Sequence, residues 1–460
     1  MAPGRLPGDM ATEPHTTTRP AVPALFKVAL APVQAFFRLE ASSGILLALC
    51  ALAALAWANS PWGATYAAVF EAPLRLEVVG HGGPFTFREF INDGLMTLFF
   101  FLVGMEIKRE LSAGELRTLS RAMLPLIAAL GGMVVPAGLY YFFTRGTPAE
   151  GGWAIPMATD IAFAIGCLTL VKARVSQGLV VFLTALAIFD DIGGILVIAL
   201  FYGTGLHVEW LVVAAGLVVG LWGLNRFYVR NGLAYAVVGA ALWYAMHHGG
   251  IHATLSGVVL GLCIPALPTR PGREVLEELA EYIRGLVSQP EDEAARGAQL
   301  LHIEEALEDI EPPLNRFVHL WHGYVAYGIV PLFALANSGV DMSGISLSDL
   351  LKPLPLGIIV GLFVGKQLGI FLFTWVAVKA GVSPLPSGGS VAQLHGVAVV
   401  AGIGFTVALF VAGLSFAHQP ALLAEAKLGI LTGSLLSAVV GYVLLRYVAR
   451  PPQAAAQASP

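Results

Sequence analysis

The chain has 460 residues, 57% of them hydrophobic and only 12% charged, with a mean hydropathy of +0.75. Soluble domains carry about 25% charged residues, so the composition excludes a water-soluble globular protein. It reads instead as an all-α polytopic membrane protein. The net charge of −4, without a basic patch interleaved with aromatics, gives no footing for nucleic-acid binding. The three cysteines (Cys50, Cys167, Cys263) lie in apolar runs without CxxC spacing and read as buried small hydrophobes.

Residues 1–20 are polar and Pro/Thr-rich and read as a tail with no cleavable signal. Residues 21–40 read as an interfacial helix broken at Pro32, with Lys27 and Arg38 among headgroups. A first span at 42–59 would itself direct insertion, and it ends at Asn59-Ser60-Pro61. The segment LRLEVVGHGGPFTF (74–87) differs, since two β-prone runs flank a Gly-rich turn. It is a hairpin outside the membrane, either an ordinary one or, through its open edge, the seam of a homodimer.

Span 2 (90–107) closes on Glu106-Ile107-Lys108-Arg109-Glu110, and span 3 covers 122–143. Spans 4 and 5 follow at 153–171 and around 185–202, then spans 6, 7 and 8 near 207–225, 232–247 and 250–267. Residues 268–313 are the one long soluble segment, helical in period over 273–286 and acidic over 291–311. They form a solvated connector or a regulatory element. Spans 9 to 12 lie at 317–338, 355–379, 391–416 and 427–448, and 451–460 is a Pro/Ala/Gln tail. The transmembrane domain is thus 41–450, about twelve spans. With the N-terminus inside, twenty of the 26 Lys and Arg fall on the inner side, which supports cytoplasmic termini.

The chemistry concentrates in ALAIFDDIGGILVIALFY (185–202), where Asp190 and Asp191 sit in an apolar run long enough to cross a bilayer. One charge at that depth costs roughly 3 kcal/mol on insertion scales. Adjacent carboxylates also resist joint ionisation. Such a pair persists where it faces a cavity and holds a cation or protons. Span 4 is interrupted by Pro156, Thr159 and Asp160, and span 11 by Gly402 and Gly404, with Thr406 able to satisfy freed backbone groups. Either alone reads as a kink or as close helix packing. Two interrupted segments in opposite halves of a transporter point to its binding site. Facing helix N-termini would be compensated by Asp160 and facing C-termini by Lys366. Lys366 lies in LFVGKQLGI (362–370), and its nearest carboxylate partner is Asp190 or Asp191. That pair either couples proton release to cation uptake or is a fixed bridge between spans 5 and 10.

These residues match a family. The chain resembles the sodium/proton antiporters of the bacterial NhaA type in WANSPWG (57–63), INDGLMTLFFFLVGMEIKREL (91–111), GWAIPMATDIAFAIG (152–166), FLTALAIFDDIGGILVIALFY (182–202), GIHATLSGV (250–258), VPLFALANSGV (330–340), LPLGIIVGLFVGKQLGI (354–370) and GIGFT (402–406). The resemblance runs in order from about residue 35 to 450. It implies twelve helices with inverted repeats and two crossing broken helices, in the bacterial inner membrane. It also implies electrogenic exchange of sodium or lithium for a larger number of protons in pH homeostasis, without cofactor or covalent chemistry, so not an enzyme. By motif position Asp191 resembles the main sodium-binding carboxylate. Asp190 resembles its neighbour, a proton carrier or the partner of Lys366, and Thr159 and Asp160 the unwound residues near the ion. Glu106, Arg109, Glu110 and His252 resemble residues linked in the family to pH sensing, and 74–87 matches its dimerising region.

One departure stands out. Where many members carry Leu-Glu-His at the start of span 9, this chain has Phe317-Val318-His319. An acid of the pH-responsive cluster is therefore missing, which predicts a shifted or weaker pH activation. His319 and His322 remain candidates there. An intramembrane aspartyl protease is disfavoured, because adjacent aspartates cannot straddle a peptide bond and no GxGD occurs. A passive channel is disfavoured because adjacent acids in one asymmetric chain make no selectivity ring. A symporter for organic anions lacks an anion-binding cluster.

Overall fold

Within a bilayer no water satisfies the backbone, so an apolar run forms the structure in which each N–H and C=O pairs within its own segment, the helix. A computed structural model describes residues 42–75, 84–203, 205–229, 231–268, 270–287, 302–304, 306–307, 310–344 and 346–448. The expected tail and interfacial helix (1–40), the turn between the strands (76–83), most of the acidic stretch after 288 and the C-terminal tail lie outside the described residues.

The helices in chain order are α1 Ser42–Ala58, α2 Gly63–Phe70, α3 Phe87–Ser112, α4 Leu119–Thr144, α5 Ile161–Leu170, α6 Gln177–Phe201, α7 Val208–Arg226 and α8 Gly232–Gly249. They continue as α9 Leu255–Cys263, α10 Gly272–Val287, α11 Pro313–Asn337, α12 Pro353–Lys379, α13 Val391–Val400, α14 Phe405–Ser415 and α15 Pro420–Tyr447. Strands β1 Pro73–Arg75 and β2 Pro84–Thr86 pair antiparallel, Pro73 opposite Thr86.

Eight segments among the described residues, including Glu150–Leu170 taken whole, are long and apolar enough to cross a bilayer. The number rises to ten when each of two bent pairs counts as one span: α1 with α2, bent by 116°, and α13 with α14, bent by 44°. The other two of the twelve expected spans correspond to α8, which ends in His247 and His248, and to the nine-residue α9. The first expected span ends where the sequence places its end: α1 stops at Ala58, a turn follows through Asn59-Ser60-Pro61, and α2 leaves it bent by 116°. Asn59 stitches the bend, its Nδ2 donating to Leu55 O (2.8 Å) and Val340 O (2.7 Å) while its Oδ1 accepts from Met342 N (2.6 Å).

Local sequence marks several ends. The Ser176 side chain caps α6, Ser390 and Gln393 form a capping box on α13, and Gly250 closes α8 in the left-handed region at φ +80°. The carbonyl end of α11 is met by Arg88, whose Nη1 donates to Ala336 O at 2.8 Å, so a cation sits on the negative pole of that helix.

Small residues set the packing. A Cβ on Gly369 of α12 would stand 2.0 Å from Gly131 O of α4, so the two backbones touch there. With α6, α13 and α15 these two helices make one group; α3 packs on α9, and α8 on α7, in another. Outside the apolar body, Val275 and Leu279 of α10 bury against Ala306, Ile303 and Ile310.

Candidate ion site

Pro156 sets the first break. It cannot donate to a helix ladder and its ring crowds the preceding turn. The chain therefore runs through 3-10 turns at Glu150–Gly152 and Ile155–Met157, becomes extended at Ala158 and Asp160, and resumes as α5. The second break, 401–404, separates α13 from α14. A Cβ on Gly402 would lie 2.4 Å from Leu362 O and 2.6 Å from Ser437 Oγ, so only glycine passes. On Gly404 it would come within 2.7 Å of the Leu362 side chain.

The two breaks are laced together. Asp160 N donates to Ile403 O at 2.7 Å, and the Thr159 hydroxyl lies 3.0 Å from Ala401 O. Two helix N-termini converge on Asp160. Its Oδ1 accepts from Phe163 N (3.0 Å), and its Oδ2 accepts from Thr406 N (3.1 Å) and Thr406 Oγ1 (2.5 Å). One buried carboxylate thus answers both positive helix ends, as expected.

Of the two roles expected of Lys366, its hydrogen bond takes the carboxylate one. Its Nζ donates to Asp190 Oδ2 at 2.5 Å, with both side chains fully buried. The carbonyl at the end of α13 is met by Thr159 instead, because a short hydroxyl fits between the crossing backbones. The same hydroxyl lies 2.7 Å from Asp190 Oδ2. Asp190 Oδ1 is buried with no hydrogen-bond partner among the described residues. Asp191 follows, turned about 100° round α6. It is half-buried and lines a cavity of about 270 Å³ that Glu106, Arg109, Glu110 and His322 also line, together with Thr159 and Asp160.

The structure thus gathers Asp160, Thr159, Asp190, Asp191 and Lys366 at one crossing, with Pro156, Gly402 and Gly404 as the reason the crossing exists. Glu106, Arg109 and Glu110 share its cavity. His319 is exposed and His322 takes the cavity wall, while Val318 is buried, 3% exposed. His252 stands apart from that cavity: its Nδ1 is 2.8 Å from Thr254 Oγ1 and its Nε2 3.9 Å from Asp93 Oδ1. Asp93 escaped the sequence reading, and so did the partner of Thr406, which reads in sequence only as satisfying freed backbone groups. Thr406 binds Asp160 across a separation of 246 residues that no local pattern reports. Asp93 carried a usable signal, an acid at the head of the apolar run INDGLMTLFFF.

The family model for Na+/H+ antiporter 1 matches residues 34–445. The Na(+)/H(+) antiporter NhaA 1 of Myxococcus xanthus is 73% identical over 445 residues, covering 96% of this chain and 99% of that protein. The Na(+)/H(+) antiporter NhaA of an Anaeromyxobacter species is 56% identical over 439 residues, covering 95% and 96%. Among solved structures, the sodium proton antiporter MjNhaP1 from Methanocaldococcus jannaschii overlays with a TM-score of 0.47 at 16% identity, covering 93% of this chain and 94% of that one.

Proposed function

We propose, from the premise that this chain belongs to the Na+/H+ antiporter 1 family, that this bacterial membrane protein exchanges sodium or lithium for protons at one site shared between Asp190 and Asp191. The observation that carries the reading is the unpartnered, buried Oδ1 of Asp190 beside a half-buried Asp191 on the cavity wall. A buried acceptor without a donor is costly, and a bare cation or a proton is what satisfies it.

Sodium enters past Glu106, Arg109 and Glu110 and meets Asp191 first. Asp190 joins the ion when its bond to Lys366 yields. Asp160 and Thr406 hold the crossing neutral and fixed, and Thr159 aims Asp190. Protons then compete for the same oxygens when the site faces the other side. More protons than sodium ions cross in each cycle, so net charge moves, and each charge across 100 mV is worth roughly 2.3 kcal/mol. No bond to substrate is made or broken.

Twelve spans with inverted repeats fit the helix order, and the Lys/Arg bias supports cytoplasmic termini with the Glu106 cavity open to the cytoplasm. The β1–β2 edge is the seam of a homodimer. With Val318 buried where many members of the family carry an acid, pH activation is shifted or weak. Asp191→Asn, reconstituted in vesicles with a pH-sensitive dye, abolishes sodium-induced proton flux; retained exchange in that variant refutes the assignment.

A further inference from the structure

On the side of Asp190 and Asp191 away from Glu106 lies a second, much smaller space of about 20 Å³, lined by both carboxylates. That is room for about one water or one bare small ion. Phe100, Met157, Ile198 and Val411 wall it with apolar groups. Chain direction gives its place. Phe100 precedes Glu106 on α3 and Ile198 follows Asp191 on α6, each by about 10 Å of helix toward the second face.

Phe100 is one ring of a cluster. Its centroid is 5.2 Å from Phe410 of α14, which is in turn 6.4 Å from Phe333 of α11 and 5.6 Å from the His252 ring. All three phenylalanines are buried. Phe410 lies on the half-helix that begins at the Asp160 crossing, whereas Phe100, Phe333 and His252 come from three other elements. The rings therefore meet between a helix that carries the ion site and helices that do not.

We infer that Phe100 and Phe410 are the gate that closes the ion site toward the face opposite Glu106. The inference rests on the exchange reading above and adds the residues that keep the site from opening to both faces at once. An apolar constriction blocks hydrated ions by excluding water, with no charge of its own. Because its two rings belong to different helices and share no hydrogen bond, a tilt of α14 against α3 parts them without leaving a polar group unsatisfied. Gly194 lines the same chamber, and a Cβ there meets nothing within 4 Å, so the position accepts a reporter side chain.

The test uses the full chain with Cys50, Cys167 and Cys263 replaced by Ala and Gly194→Cys added, in vesicles of known orientation. A membrane-impermeant methanethiosulfonate is applied to each face. Phe100→Ala or Phe410→Ala raises labelling from the second face at least tenfold and leaves labelling from the Glu106 face within twofold. The double variant gains little beyond the faster single one, because the rings act as one barrier. Phe100→Leu and Phe410→Leu, which keep most of the bulk, stay closed and serve where an Ala variant melts early. The Ala variants also pass radioactive sodium down its gradient with fewer protons returned per ion. Unchanged second-face labelling in both Ala variants, with parental melting temperature, overturns the gate. So does faster second-face labelling in the Leu variants equal to that of Ala. Labelling needs no turnover and can be repeated in Asp191→Asn, so loss of the exchange reading and loss of the gate are seen separately.

Discussion

Asp190 divides its work between its two oxygens. Oδ2 takes Lys366 and Thr159, and Oδ1, unpartnered among the described residues, is the atom the proposed exchange gives to the cargo. Removing Lys366 strands a buried charge, so Lys366→Ala should cost about 3–5 kcal/mol in stability. That is measured as early thermal unfolding in detergent. Asp190→Asn combined with Lys366→Met recovers most of the loss while exchange stays low. Competition also fixes a sign with pH. Protonating the shared oxygens removes sodium's ligands, so the apparent KM for sodium rises as pH falls, by about tenfold per unit while one proton competes. Initial rates across a pH and sodium grid check it, and a pH-independent KM would contradict a shared site. The aspartates and Lys366 were legible because charge inside an apolar run is anomalous. The bond from Thr406 to Asp160 was not, since Thr406 reads locally only as a group that satisfies freed backbone and the crossing alone brings it to Asp160.

At the scale of elements, the breaks were readable from Pro156, Gly402 and Gly404, whose backbone chemistry declares itself locally. Which helix ends they present, and to whom, was not. Lys366 reads both as compensating the C-terminal poles and as the partner of Asp190 or Asp191; its bond goes to Asp190, a choice that depends on how deep α12 sits against α6. The turn after α1 was legible at Asn59-Ser60-Pro61, but what fixes its 116° angle was hidden for a similar reason, as Asn59 reaches Val340 and Met342. The crossing gives a sharp test. Gly402→Ala drives a methyl to 2.4 Å from Leu362 O and should abolish exchange and lower the melting temperature. Gly413→Ala on the neighbouring half-helix meets nothing within 4 Å and should leave both nearly unchanged. Equal behaviour of the two would mean the breaks do not touch.

For the whole molecule, the expected pH response depends on a residue that has become apolar. Val318→Glu in vesicles should steepen pH activation, and an unaltered profile would place the sensor elsewhere on the cavity. Replacing 74–87 with a short Gly/Ser linker should turn a dimer into a monomer in native mass spectrometry while exchange persists. The contact of Gly131 with Gly369 reaches further. Lys366 lies one turn from Gly369, and its stem passes 3.7 Å from where a Cβ of Gly132 would be. Helices whose backbones touch cannot slide past each other, so the lysine, its aspartate and their scaffold keep one depth relative to each other. Under the proposed exchange the cargo is carried with its cradle, and what changes between strokes is the wall the cradle leans on.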